Sequence, residues 1–103
     1  MLYLQAISSN HYAMKTKISP LVLKEIINIQ RKDKKLANRI EKQIVLFEEN
    51  PKHPSLRVHK LSGNRENMWS ISITMSIRMV YLLIDDDQAI FIKIGTHEQV
   101  YKK

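Results

Sequence analysis

The sequence predicts an α+β domain: a short strand, a hairpin of two helices, then an antiparallel sheet of three to four strands with a short C-terminal tail. Three observations point there. Apolar residues recur at helical spacing through the first half, the period changes from 3.6 to 2 beyond Leu56, and proline-bearing or acidic breaks separate the segments. At 103 residues and 12.1 kDa the chain has room for one domain, residues 1–103, with one modest core. Hydrophobic residues make up 44%, and only 2 glycines and 3 prolines interrupt them, a composition that can fold.

Residues 1–13 fit no element and are left as an extension to a core of about residues 14–101. "MKTKIS" (14–19) alternates like a short strand, and Ser19-Pro20 reads as an N-cap followed by proline in the first helical turn. Leu23, Ile26, Ile27 and Gln30 then follow helical spacing up to the charged "RKDKK". Leu36, Ile40, Ile44 and Phe47 mark one face of a second helix, which "ENP" (49–51) stops. The lysines and arginines on the outside of this hairpin read as a solvated face.

"LRVHKLSG" (56–63) is expected to be a strand ending at Gly63, and "NRENM" (64–68) a turn. In "MWSISITM" (68–75), Trp69, Ile71, Ile73 and Met75 alternate with Ser70, Ser72 and Thr74, so one face should be buried and the other polar. "IRMVYLLI" and "QAIFIKI" are more apolar throughout, as central strands should be, and "DDDQ" (85–88) makes the hairpin between them.

The composition also excludes chemistry. Without cysteine there is no disulfide, no thiolate zinc site and no cysteine nucleophile. The longest apolar run, Met79 to Ile84, is far short of a membrane span, and "MLYLQAISS" lacks the features of a signal peptide. A cytoplasmic protein is expected. A net charge of +7, spread over both halves, points to a polyanion partner: nucleic acid, ribosome or an acidic protein. The aspartate cluster has no histidine nearby and reads as a solvated turn, so neither metal nor cofactor is expected.

Four side chains are out of character for their settings. His59 lies in "RVHKL", Arg78 interrupts "SIRMVYLLI", and His97 and Tyr101 close the chain. Burying an unpaired guanidinium costs on the order of several kcal/mol. Arg78 must therefore meet a sheet edge, a carboxylate or an anion. His97 and Tyr101 share a face if the tail takes one helical turn; Tyr101 could equally plug the core edge. Two imidazoles beside a fixed cation suit acid–base phosphoryl chemistry.

The run "NPKHPSLRVHKLSGNRENMWSISI", then "IRMVY", then "IKIGTHEQVY", resembles toxins of the RelE/ParE superfamily from bacterial type II toxin–antitoxin systems. Within it the likeness is to RelE- and YafQ-like messenger-RNA interferases, with HigB-like features in the middle. It extends from about Met14 to Tyr101 and rests on "NP", "HxLxG", the strand arginine of "RMVY" and "GTHxxxY". The resemblance implies a microbial ribonuclease fold, metal-free cleavage of mRNA on the 70S ribosome, and a small acidic antitoxin as partner. By position, His59 matches the histidine of "HxLxG" and Arg78 the catalytic strand arginine. His97 stands where YafQ-like toxins have their main catalytic histidine, and Tyr101 at the terminal aromatic. Lys60, Arg65, Trp69, Ser72 and Ser76 are expected to bind substrate around them. Ser72 and Ser76 replace a histidine and an aspartate of the YafQ-like pattern, and the RelE-like lysines near Trp69 and Ile71 are absent. This thinner proton-transfer set leaves room for a weak nuclease, or for a ParE-like member that keeps the fold and inhibits DNA gyrase by binding without catalysis; a nucleic-acid-binding domain without toxicity is a third reading.

Overall fold

The protein is described by a computed structural model at residues 13–63 and 65–101; the expectation for residues 1–12 lies outside the described residues. β1 (Lys15–Ile18) leads into α1 (Pro20–Lys32). Ser19 caps this helix, its hydroxyl accepting the Val22 amide at 3.2 Å, and Pro20 takes the first position, where a missing N–H costs nothing. Asp33 both ends α1 and begins α2 (Lys34–Glu49). Its N–H donates to the Ile29 carbonyl at 2.7 Å, and its carboxylate accepts the Leu36 amide at 3.0 Å. Asn50 closes α2 by donating to the Leu46 carbonyl, just before Pro51.

β2 (His59–Lys60), β3 (Met68–Ser72), β4 (Ile77–Asp85) and β5 (Gln88–Thr96) form an antiparallel meander. β1 joins the far edge parallel to β5, so the order is β1-β5-β4-β3-β2. A last short helix, α3 (His97–Tyr101), follows β5 directly. Asp85 pairs with Gln88, leaving Asp86 and Asp87 as the turn. The helix hairpin covers one face of the sheet. There Val22, Ile26, Ile40 and Phe47 meet Ile71, Met79, Tyr81 and Phe91 in one core. Phe47 lies 4.6 Å from Tyr81 and 5.6 Å from Phe91, ring centre to ring centre. Burial of each such side chain contributes about 1.5–3 kcal/mol. A smaller cluster on the other face, Leu61, Val80 and Val100, holds α3 against β4. Among the described residues, no helix is long and apolar enough to cross a membrane.

Three expectations need correcting. The segment 56–63 is mostly not strand. Leu56 ends a 3₁₀ turn (Pro54–Leu56) and Arg57 takes a left-handed conformation (φ 46), so pairing is confined to His59 and Lys60. The expected strand 68–75 stops at Ser72. Thr74 Oγ1 accepts the amides of Ser76 and Ile77, which bends the chain back and leaves Met75 fully exposed. The buried stripe of α1 runs through Val22, Ile26 and the half-buried Ile29, whereas Leu23 and Ile27 are 46% and 42% exposed. Both stripes satisfy helical spacing, and the docking angle against the sheet selects one.

Candidate active site

The face of the sheet away from the helix hairpin carries the site. Strand alternation decides which side chains reach it. Trp69, Ile71 and Ile73 belong to the helix-side core, so Ser70 and Ser72 point the other way. His59 pairs with Ser70, and Arg78 with Ser72, across the ladder.

α3 supplies the rest. Five residues are too few for a helix to stand alone, and the local sequence compensates. Thr96 and Gln99 form a reciprocal capping box: the Thr96 amide donates to Gln99 Oε1 at 2.8 Å, and the Gln99 amide donates to Thr96 Oγ1 at 3.2 Å. Gly95 makes room, because a Cβ there would stand 2.7 Å from Gln99 Oε1 and 3.2 Å from its Cβ. Val100, 1% exposed, anchors the helix to the small cluster. Arg65 closes its C-terminal end, with Nη1 donating to the Val100 carbonyl at 3.5 Å and Nη2 to that of Tyr101 at 3.3 Å.

The result places Tyr101 between two imidazoles. The His97 ring is tilted against it at 4.4 Å, and the His59 ring meets it edge-on at 5.6 Å. Tyr101 OH and Ser70 Oγ share a 2.6 Å hydrogen bond. Arg78 Nε donates to the same Ser70 Oγ at 2.9 Å, and Nη2 donates to the carbonyls of Arg57 (2.6 Å) and Ser70 (3.3 Å). The left-handed turn at Arg57 therefore aims a carbonyl at the guanidinium. Among the described residues no carboxylate pairs with Arg78, and its two Nη1 protons have no acceptor. The cation is fixed by neutral groups and keeps free donors. An arrangement of this kind can receive an anion, with a titratable imidazole on either side of a phenol.

Of the residues expected from the sequence, His59, Arg78, His97 and Tyr101 come together. Lys60 and Trp69 do not join them. Alternation places both on the helix side, where the Lys60 ammonium lies 5.3 Å from the Trp69 ring centre, and Trp69 lines a cleft of about 630 Å³ with Pro51, Pro54, Tyr81 and Leu83. Ser72 shares the site's face, but its hydroxyl donates to the Thr74 carbonyl. Ser76 lies exposed in the β3–β4 turn, beside Lys35, Arg39 and Lys42. Arg65 reaches α3's carbonyls. Ser70 and the Arg57 carbonyl had not been singled out. Alternation alone could have put Ser70 on the face of Ser72, away from the helix-side core, whereas nothing in the sequence marks the carbonyl.

The α+β fold is one shared with small toxins of type II toxin–antitoxin systems. The model for the family described as ParE toxin of type II toxin-antitoxin system, parDE, matches residues 16–101, and the chain belongs to that family. No curated protein matches the chain. Among solved structures, the YoeB/ParE toxin from Agrobacterium tumefaciens is similar at 22% identity and a TM-score of 0.67, covering 82% of this chain and 99% of that one. The YafQ toxin in the DinJ–YafQ complex of E. coli is similar at 19% identity and a TM-score of 0.69, over 86% and 98%. The YoeB–YefM toxin–antitoxin heterotetramer of Staphylococcus aureus gives 22% identity and 0.67, over 82% and 97%.

Proposed function

We propose that this toxin is an endoribonuclease that cleaves messenger RNA on the ribosome without a metal. The observation that carries the reading is Arg78, a cation that among the described residues is held by neutral acceptors alone and keeps its Nη1 donors free beside two imidazoles. RNA brings its own nucleophile. Attack of the 2′-oxygen on phosphorus forms a 2′,3′-cyclic phosphate and breaks the bond to the 5′-oxygen. His59 takes the 2′-hydroxyl proton, and His97 gives a proton to the departing 5′-oxygen. Arg78 Nη1 holds a non-bridging oxygen where charge grows, a contribution of about 3 kcal/mol for one well-placed donor. Tyr101 stacks on a base or assists His97. Arg65 acts through α3, by holding its last carbonyls. Lys60, Trp69, Ser72 and Ser76 are left to outer contacts with the RNA.

A small acidic antitoxin is the natural partner of a chain with a net charge of +7. The E. coli and S. aureus relatives, with DinJ and YefM, support this. The family description, which names parDE, favours a second reading: a ParE-like inhibitor of DNA gyrase on the same fold.

Two measurements separate them. Pulse labelling after expression without a partner is expected to show protein synthesis falling first; an early fall in DNA synthesis would point to gyrase. Wild type and His97→Ala, compared at equal folded concentration on ribosome-bound messenger, should differ by about a hundred- to ten-thousandfold in cleavage rate, with chelators having no effect. Equal cleavage removes His97 from the mechanism, and no cleavage by either protein removes the ribonuclease reading.

A further inference from the structure

Ser70 is 0% exposed, on a strand whose neighbours on the same face, Met68, Val80 and Val100, are apolar. A hydroxyl there needs partners. Among the described residues Ser70 Oγ has two, Arg78 Nε–H and Tyr101 OH. The first can only donate. The second bond could run either way, and counting protons decides it.

If Tyr101 donated to Ser70, the Ser70 proton would be left without an acceptor at a fully buried position, which native structures avoid. If Ser70 donates to the phenol oxygen, every buried proton of this linkage is placed, and the proton of the half-exposed Tyr101 is left free to turn away from Ser70. The guanidinium reinforces that direction, because a cation donating into Oγ strengthens the hydroxyl's own donation.

We propose that Ser70 is a positioning residue that couples Arg78 to Tyr101, donating to the phenol oxygen so that the phenolic proton faces the substrate. It touches no substrate itself. Its action rests on the ribonuclease reading only for the consequence: Tyr101 becomes a fixed hydrogen-bond donor to the phosphoryl group that Arg78 holds. The hydroxyl's geometry stands apart from it.

The test uses the full-length chain in four forms: Ser70→Ala, Ser70→Thr, Tyr101→Phe and the double variant Ser70→Ala/Tyr101→Phe. In single-turnover cleavage, Ser70→Ala should lose at least about tenfold in rate with substrate affinity little changed, the effect of one charge-assisted hydrogen bond. Ser70→Thr, which keeps the hydroxyl, should recover most of it. The double variant should be about as slow as Tyr101→Phe alone, because both changes break one linkage; losses that multiply would overturn the coupling.

A second measurement needs no cleavage. The Arg78 Nε–H resonance should be sharp and slow to exchange in wild type and Ser70→Thr. It should move in Tyr101→Phe, although that change lies one bond beyond Ser70, and it should move or vanish in Ser70→Ala. An Arg78 signal indifferent to Tyr101→Phe overturns the proposal, even if Ser70→Ala fails to fold. Should the wild type cleave no RNA, the ribonuclease reading falls and this resonance alone decides the role of Ser70.

Discussion

Arg78 shows how one side chain can be committed to structure and still be available for chemistry. Three of its five N–H groups point at Ser70 Oγ, the Ser70 carbonyl and the Arg57 carbonyl; the remaining two are on Nη1. Neutral acceptors fix the plane of the guanidinium without neutralising it. A lysine would keep the charge but could not form this planar fork. Arg78→Lys is therefore expected to slow cleavage by about a hundredfold, in the range for loss of one preorganised donor, while leaving the thermal midpoint near that of wild type. Near-wild-type cleavage by the lysine variant would mean that charge alone suffices and that the three anchoring bonds are incidental. The sequence singled out Arg78 because a cation in "SIRMVYLLI" needs an explanation. Which explanation holds depends on Arg57 and Ser70, 21 and 8 residues earlier.

At the scale of elements, α3 is the piece on which the site turns. Its four supports are the capping box, Gly95, Val100 and Arg65. Thr96→Ala removes half of the capping box at an exposed position, at a cost of about 1 kcal/mol. Because α3 is a short terminal element, that cost should appear as local opening: faster amide exchange over residues 97–101, with core strands unchanged. Unchanged exchange in α3 would show that Val100 and Arg65 hold it unaided. "THEQ" carries the Thr-x-x-Gln pattern of such a box, so the helix was open to recognition, as were Ser19-Pro20 before α1 and the turn at Asp86 and Asp87. Each depends on residues within one turn of one another. The loop from Leu56 to Gly63 was not legible, because "LRVHKL" has strand composition and only the left-handed Arg57 breaks it. Met75 misled for a related reason: its alternation with Ser72 and Thr74 is correct as a pattern, but Thr74 hydrogen-bonds its own turn instead.

For the whole molecule, the core between helix hairpin and sheet sets the response to alkali. Tyr81 packs against Phe47 and Phe91, and burial pushes its phenol from the ordinary 10.0 up to about 12. The folded state thus favours the neutral phenol. The stability this represents is fully present below pH 10 and is lost as pH rises through about 12. Urea midpoints should fall more steeply over that window for wild type than for Tyr81→Phe, which has nothing to ionise; parallel curves would show that Tyr81 titrates freely in the fold. Trp69 belongs to this helix-side layer, although it was expected to bind substrate. The sequence by itself determined the element order, the period-2 strands beyond Met68, the Ser19-Pro20 start of the first helix and the four unusual residues, because each follows from side chains a few positions apart. Only the tertiary structure decided which face each residue joined, that Arg78 has no carboxylate partner among the described residues, and that Ser70 meets Tyr101 across 31 residues of chain. Those depend on strand register, in which a shift of one residue exchanges the two faces of a strand, and register is set by how the whole sheet packs against its helices.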